Sequence, residues 1–323
     1  MPVLEAEAQP RQRSHEKYER LIERAQRLPP ARTAIAHPCD KSSLESAVEA
    51  ARLKLIIPIL VGPRSKIEKV AAENKLDISK FEIVDAAHSH DAAAKAVALV
   101  REGKAEALMK GSLHTDEIMS AVVARDTGLR TARRISHCFV MDVPGHSEPL
   151  VITDAAVNIA PTLTDKVSIV QNAIDMVHAI GVDDVRVAIL SAMETINPDV
   201  SSTLEAAALC KMADRGQITG ALIDGPLALD NAISPEAAAI KKIKSPVAGH
   251  ANVLVVPDLE AGNMLAKSLS FLAGADAAGI VLGARVPIIL TSRADDLPSR
   301  LASCAVALLL AESRRRDAAA AVQ

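Results

Sequence analysis

The chain has 323 residues, 49% of them hydrophobic, with no Trp, one Tyr and three Phe, so its core rests on Ala, Val, Leu and Ile. A formal charge of −3 and so few aromatic rings exclude a protein that coats phosphate backbones or stacks single-stranded bases. The four cysteines form no C-x-x-C pair, and every apolar run is shorter than the roughly 18 residues of a membrane span, which predicts a cytoplasmic protein without zinc or disulfides.

Residues 1–30 are charged and hold one helical stretch, from about His15 to Arg27, closed by Pro29 and Pro30. They read as a peripheral helix or as a linker left from a fusion. Thr33 to Ala36 is a first strand, and Ser42 with Glu45 makes a capping box for a helix to Leu53. Strands follow at Ile56 to Val61, Phe81 to Val84 and Ala107 to Met109. Helices alternate with them at Ser65 to Asn74, His90 to Glu102 and from Thr115 to Arg125. That alternation specifies βαβ units around a parallel sheet.

The pattern changes after Gly128. Ser136 to Val143 and Leu150 to Ile152 are consecutive strand-like runs split by Pro144 and Gly145, a hairpin or an extended arm, and a domain boundary falls near residue 135. Leu163, Val167, Val170, Ile174 and Val177 mark one face of a helix capped by Thr162 and Asp165 and stopped at Gly181. Val185 to Leu190 is a strand, and Ser202 to Glu205 forms a capping box opening a helix to Met212. Ala221 to Ile223, Val253 to Val256 and Gly279 to Leu282 are further strands, with a helix from Gly262 and Asn263 to Phe271. Val286 to Leu290 is an apolar strand, Pro298 fits the first turn of a buried helix through Ala311, and Arg314 to Arg316 is a frayed, cation-favoured helix end.

Signatures of nicotinamide Rossmann sites, P-loops, zinc proteases and α/β-hydrolases are all missing. Polar loops at strand ends remain: Lys110 to Thr115, Arg130 to His137, Asp224 to Asn231, Asp258 to Asn263, and Ser292 to Asp296. The last lies between a strand's carboxyl end and a helix N-terminus, where open α/β sheets bind ligands and where anions are favoured. A capped helix start with a surface Arg is the plain alternative. Such loops suit transfer between two anionic substrates, and equally a non-catalytic sensor of a phosphate ligand.

Five long runs carry a resemblance. MKGSLHTDEIM (109–119), GLRTARRISHCFVM (128–141), DGPLALDNAISPEAA (224–238), SPVAGHANVLVVPDLEAGNMLAKSL (245–269) and VPIILTSRAD (286–295) resemble the phosphate acetyl/butyryltransferase family. The form is closest to phosphate acetyltransferase modules, some of which follow an enoyl-CoA hydratase-like domain. The resemblance implies a two-domain α/β fold like the isocitrate/isopropylmalate dehydrogenases, with an interdomain cleft and a homodimer. Its first domain would be discontinuous, 1–135 with 284–323, around a second of 136–283.

The implied reaction is acyl phosphate plus coenzyme A giving acyl-CoA plus phosphate, with coenzyme A as substrate and no metal or other cofactor. Ser292, Arg293 and Asp295 are then the catalytic candidates: hydroxyl to hold the sulfur, guanidinium for the phosphate, carboxylate as base. Arg130 stands with Arg293 as first choice for gripping the phosphate as a planar fork, and Arg133, Lys110 and the backbone of Gly111 and Ser112 come next. Thr115, Ser136, Asp224 and Asn263 complete the phosphate and coenzyme A contacts. Acetyl-specific relatives carry an aspartate where this chain has Ser299, and the nearest acids here are Asp295 and Asp296. Base and acyl length therefore stay open. A metal- and nicotinamide-dependent β-decarboxylating dehydrogenase on the same fold is the rival enzyme, with Asp224, Asp230 and Asp258 as its metal ligands.

Overall fold

The computed structural model describes residues 16–291 and 295–320. Helix α1 (Glu16–Ala25) leads into β1 (Ala31–Ala36), α2 (Lys41–Arg52), β2 (Ile56–Gly62), α3 (Arg64–Glu73), β3 (Glu82–Asp85), α4 (Ser89–Arg101), β4 (Ala107–Lys110) and α5 (Thr115–Val123). There follow β5 (Ser136–Asp142), β6 (Leu150–Thr153), α6 (Leu163–Ala179), β7 (Arg186–Leu190), α7 (Ser201–Asp214) and β8 (Leu222–Leu227). The chain ends with α8 (Leu229–Ile233), α9 (Pro235–Ile240), β9 (Val253–Val255), α10 (Leu259–Leu272), β10 (Asp276–Leu282), β11 (Ile288–Ile289) and α11 (Leu297–Ala320).

These strands form one mixed sheet in the order β3-β2-β1-β4-β11-β10-β5-β6-β9-β7-β8. The first five are mutually parallel, and so are the last four. Antiparallel pairings of β10 with β11 and β5, and of β5 with β6, join the two runs. The runs therefore point in opposite directions. The expected hairpin at β5 and β6 sits in the middle of the sheet, not as a projecting arm.

Strand β11 is shorter than its apolar run, for two reasons. Pro287 has no N–H to give to the ladder, and on β10 the Gly279 N–H turns to Ser303 Oγ at 3.1 Å. Two expected capping boxes are also replaced. Asp40, not Ser42, caps α2 by accepting from Ser43 N. At α7 the Thr203 hydroxyl accepts from Asn197 N and donates back to Val200 and Asn197 carbonyls, while Glu205 pairs with buried Lys166. The Thr162–Asp165 box forms as the spacing predicts.

One face of the sheet carries a continuous apolar layer under α1, α2, α3, α6, α7 and α11, including Ile35, Leu44, Met109, Val140, Val187, Ile280 and Val306. The opposite face carries two separate clusters. One joins α4 and α5 to Leu108, Val281, Ile288 and Leu290. The other joins α8, α9 and α10 to Met141, Ile152 and Leu254. No helix among the described residues is long and apolar enough to cross a membrane.

Both chain ends are better anchored than their composition suggests. Helix α1 is no peripheral linker: Tyr18, Leu21 and Ala25 are buried, Tyr18 Oη donates to Val140 O at 2.7 Å, and Lys17 Nζ meets Asp142 Oδ1 at 2.6 Å. The 314–316 arginines do not fray. Arg314 donates to the Arg285 and Ala284 carbonyls, and Arg315 pairs with Glu106 at 2.6 Å.

Candidate active site

Strand β1 feeds α2 on the continuous face, whereas the neighbouring β4 feeds α5 on the other. The chain connections part between these two strand ends, and such a switch point opens a crevice at the carboxyl ends of the strands. His37, Lys110, Gly111 and Ser112 occupy it. Gly111 N donates to Ala36 O and Ser112 N to His37 O, both at 2.9 Å. A Cβ on Gly111 would lie 2.5 Å from Ala36 O, so only glycine permits this approach. Buried Lys110 places Nζ 3.4 Å from Gly111 O and 3.5 Å from Thr291 O, which ties the end of β4 to the end of β11. Thr115 opens α5 and is exposed.

Thr291 is buried with no hydrogen-bond partner at Oγ1. Ser292 and Arg293 lie outside the described residues. Beyond them, Asp296 Oδ1 accepts from Ser299 N at 3.0 Å and so caps α11, while the Asp295 carbonyl accepts from Arg300 Nε at 3.1 Å. The cap is Asp296, not Asp295. Three helix N-termini, of α2, α5 and α11, thus follow the ends of β1, β4 and β11. Each contributes a positive dipole end and first-turn N–H groups that have no partner within the helix.

The structure does not bring the remaining candidates here. A single row of side chains crosses the sheet from Lys110 through Leu290, Gly279, Phe139, Ile152, Leu254 and Ala188 to Asp224. Asp224 is therefore seven strand spacings from Lys110, about 34 Å along the sheet at ~4.8 Å each. Arg130 bridges Ala284, which lies past the far end of β10 from Gly279. At ~3.3 Å per residue that is about 17 Å from the Lys110 row, more than an arginine spans. Arg133 pairs with Asp175 of α6, and Ser136 accepts from Asn172 of the same helix, so both face the continuous helical layer. Asn263 on α10 donates to Ala155 O at 3.4 Å.

His137 and Gly279 sit between the two clusters of the divided face. Burial pushes His137 down to about 3, and both ring nitrogens lack partners. It is a neutral ring set edge-on to Phe139, with centroids 4.4 Å apart. Below it, Asp154 gathers the N–H groups of Ala156, Val157 and Asn158 at 3.0 to 3.1 Å. Asn158 in turn holds Arg134 Nε and Ile135 O. Asp154 escaped the sequence reading because its donors are local backbone, although an Asp directly after a strand is the available signal.

The Phosphate acetyl/butaryl transferase family model matches residues 86–308. This chain belongs to the phosphate acetyl/butyryl transferase family. It is 67% identical to a phosphate acetyltransferase of Rhizobium meliloti, over 95% of this chain and 97% of that protein. It is 41% identical to a phosphate butyryltransferase of Clostridium beijerinckii, over 91% and 97%. Among solved structures, a branched-chain phosphotransacylase from Enterococcus faecalis V583 superposes with a TM-score of 0.76 at 30% identity, covering 87% of this chain and 99% of that one. As a phosphate acetyl/butyryl transferase the chain is an acyltransferase, and the adjoining ends of β4 and β11 carry residues of two of its family motifs, beside the end of β1. In this family member Asp230 pairs with Lys241, Asp258 caps α10, and Asp224 accepts from Gly225 N. The three aspartates of the dehydrogenase rival thus have separate structural roles.

Proposed function

We propose that this protein transfers a short acyl group between phosphate and coenzyme A, the thiolate attacking the acyl phosphate directly in a ternary complex. The observation that carries the reading is the convergence of Lys110, Gly111, Ser112 and Thr291 at adjoining strand ends. An acyl phosphate brings negative charge to that spot, and its transition state adds more on the carbonyl oxygen and the departing phosphate. Ser292 is proposed to hold the sulfur and Arg293 the phosphate as a planar fork. Asp295 is the carboxylate the sequence offers beside them. Burial holds Cys39 up at about 11 and Cys138, Cys210 and Cys304 at about 12, so none is poised as a protein nucleophile, which favours direct attack.

Acyl-CoA absorbance with acetyl phosphate, then butyryl phosphate, tests the proposal. Turnover with at least one, unchanged by EDTA, is expected. Tight coenzyme A binding without turnover would support a sensor instead. Arg293→Ala should lower kcat by about 10²–10³-fold or more, the usual cost of removing one transition-state donor, while the protein folds normally.

We also propose the dehydrogenase-like division, 1–135 with 284–323 against 136–283, with the cleft along the divided face at His137 and Gly279. Four free cysteines fit a reducing cytoplasm. The homodimer is proposed through α10, which exposes Met264 by 62%, Phe271 by 81% and Leu272 by 87%. Large apolar side chains exposed on one helix are what a contact surface would cover. Sedimentation should give the mass of two chains, and Phe271→Glu should give one; a monomeric wild type removes the proposal.

A further inference from the structure

One polar group at these strand ends has no part in the scheme above. His37 closes β1 in the left-handed region, with φ of 55°, and its ring is half-buried. Ser112 Oγ lies 2.8 Å from His37 O and 2.9 Å from His37 Nδ1. A carbonyl can only accept, so the hydroxyl hydrogen is assigned to O, which also takes the Ser112 N–H. Nδ1–H is assigned as the donor to Oγ, which also accepts from Cys39 N at 3.4 Å. This tautomer leaves the lone pair on Nε2, which has no hydrogen-bond partner among the described residues. Lys66 of α3, Glu117 of α5 and Asp40 of the same turn face the ring. Burial and Lys66 hold the imidazole below its usual 6.5, against a weaker upward pull from Glu117 and Asp40, so it is neutral at pH 7.

Strands β1 and β11 flank β4, so a sulfur seated over the end of β4 is about 5 Å from each at ordinary strand spacing. That is within reach of an imidazole projecting from β1. Asp295, by contrast, stands at the start of α11, where the helix dipole stabilises the carboxylate as an anion and weakens it as a base. A carboxylate near 4 is also further than an imidazole from a thiol near 8.5.

We propose, building on the acyl-transfer reading, that His37 Nε2 rather than the Asp295 carboxylate takes the proton of the coenzyme A thiol. The S–H bond breaks, its hydrogen goes to Nε2 and its electron pair stays on sulfur. The thiolate forms a bond to the acyl carbon, and the carbon–oxygen bond to phosphate breaks, phosphate leaving with that pair. The imidazolium then returns its proton to solvent.

His37→Asn tests this with little disturbance, because Asn tolerates positive φ better than most residues and its amide N–H replaces Nδ1–H toward Ser112. With wild-type turnover in the same assay as reference, the variant should fold normally, keep KM within a few-fold and lose about 10²–10⁴-fold in kcat, the typical share of a general base. The acidic limb of kcat/KM, which falls as pH drops through the His37 pKa below 6.5, should vanish, and added imidazole should restore part of the rate. Asp295→Asn should keep that limb. Ser112→Ala, which unlocks the ring without changing it, should lower kcat less and shift the limb. An unchanged profile in both His37→Asn and Ser112→Ala, or loss of the limb in Asp295→Asn, overturns the proposal. A wild type without turnover overturns the acyl-transfer reading beneath it.

Discussion

Replacing Lys17 with Met should destabilise the protein by about 3–5 kcal/mol, the usual result of stripping a buried charge of its partner. Lys17 and Asp142 are both nearly solvent-free, with side-chain exposures of 9% and 2%. The ammonium donates to Asp142 Oδ1 at 2.6 Å and to Val143 O at 3.0 Å, and the Lys17 backbone N–H reaches Asp142 Oδ2 at 3.2 Å. Met fills nearly the same volume, so a cavity is not the cause. What remains is a carboxylate held under α1 with a single backbone donor. The double substitution Lys17→Met with Asp142→Asn removes both charges and should recover much of the loss. Denaturant midpoints at constant slope measure this. A loss in the single variant no larger than for an exposed pair, such as Arg32 with Glu82 at 3.4 Å, would show that α1 is only loosely attached.

That pair also shows where the sequence stops being informative. The βαβ alternation, the strands at β1, β2 and β4, and the Thr162 cap are legible because their causes lie within a few residues. Helix α1 looks like a charged linker because its partners, Val140 and Asp142, are more than a hundred residues away. The same holds for Arg315, whose carboxylate partner Glu106 belongs to the segment before β4. Arg130 and Arg133 read as phosphate ligands by their residue type within the reaction that the family resemblance implies. Yet the chain descends α5 before reaching them, which delivers them to the opposite end of the strands from Lys110. His37 has no local signature at all. Its left-handed backbone and its bond to Ser112, 75 residues on, exist only in the folded chain. Strand-end loops can be listed from sequence, but which end of the sheet each one occupies follows from connectivity.

Gly111→Ala should then be the most damaging single methyl in the protein's crevice, and Gly62→Ala the control. At Gly111 the added carbon would stand 2.5 Å from Ala36 O, 2.6 Å from His37 O and 2.7 Å from His37 C. All three are main-chain atoms at and just past the end of β1, which is pinned between β2 and β4 over buried Ile35 and Ala36, so neither side can yield. Overpacking of this kind typically costs about 1–3 kcal/mol. The functional cost should be larger, because Lys110 and Ser112 flank the displaced residue, and a shift of about 1 Å in positioned groups can cost 10²-fold in rate. Gly62 ends the neighbouring β2, yet its nearest contacts would be 3.4 Å away, ordinary van der Waals distance. Gly62→Ala should therefore keep kcat within a few-fold, whereas Gly111→Ala should lose about 10²-fold in kcat at temperatures where both are folded. Equal kinetics in the two variants would mean that the junction of β1 and β4 does not position the reacting groups, and the crevice would lose its claim to be the active site.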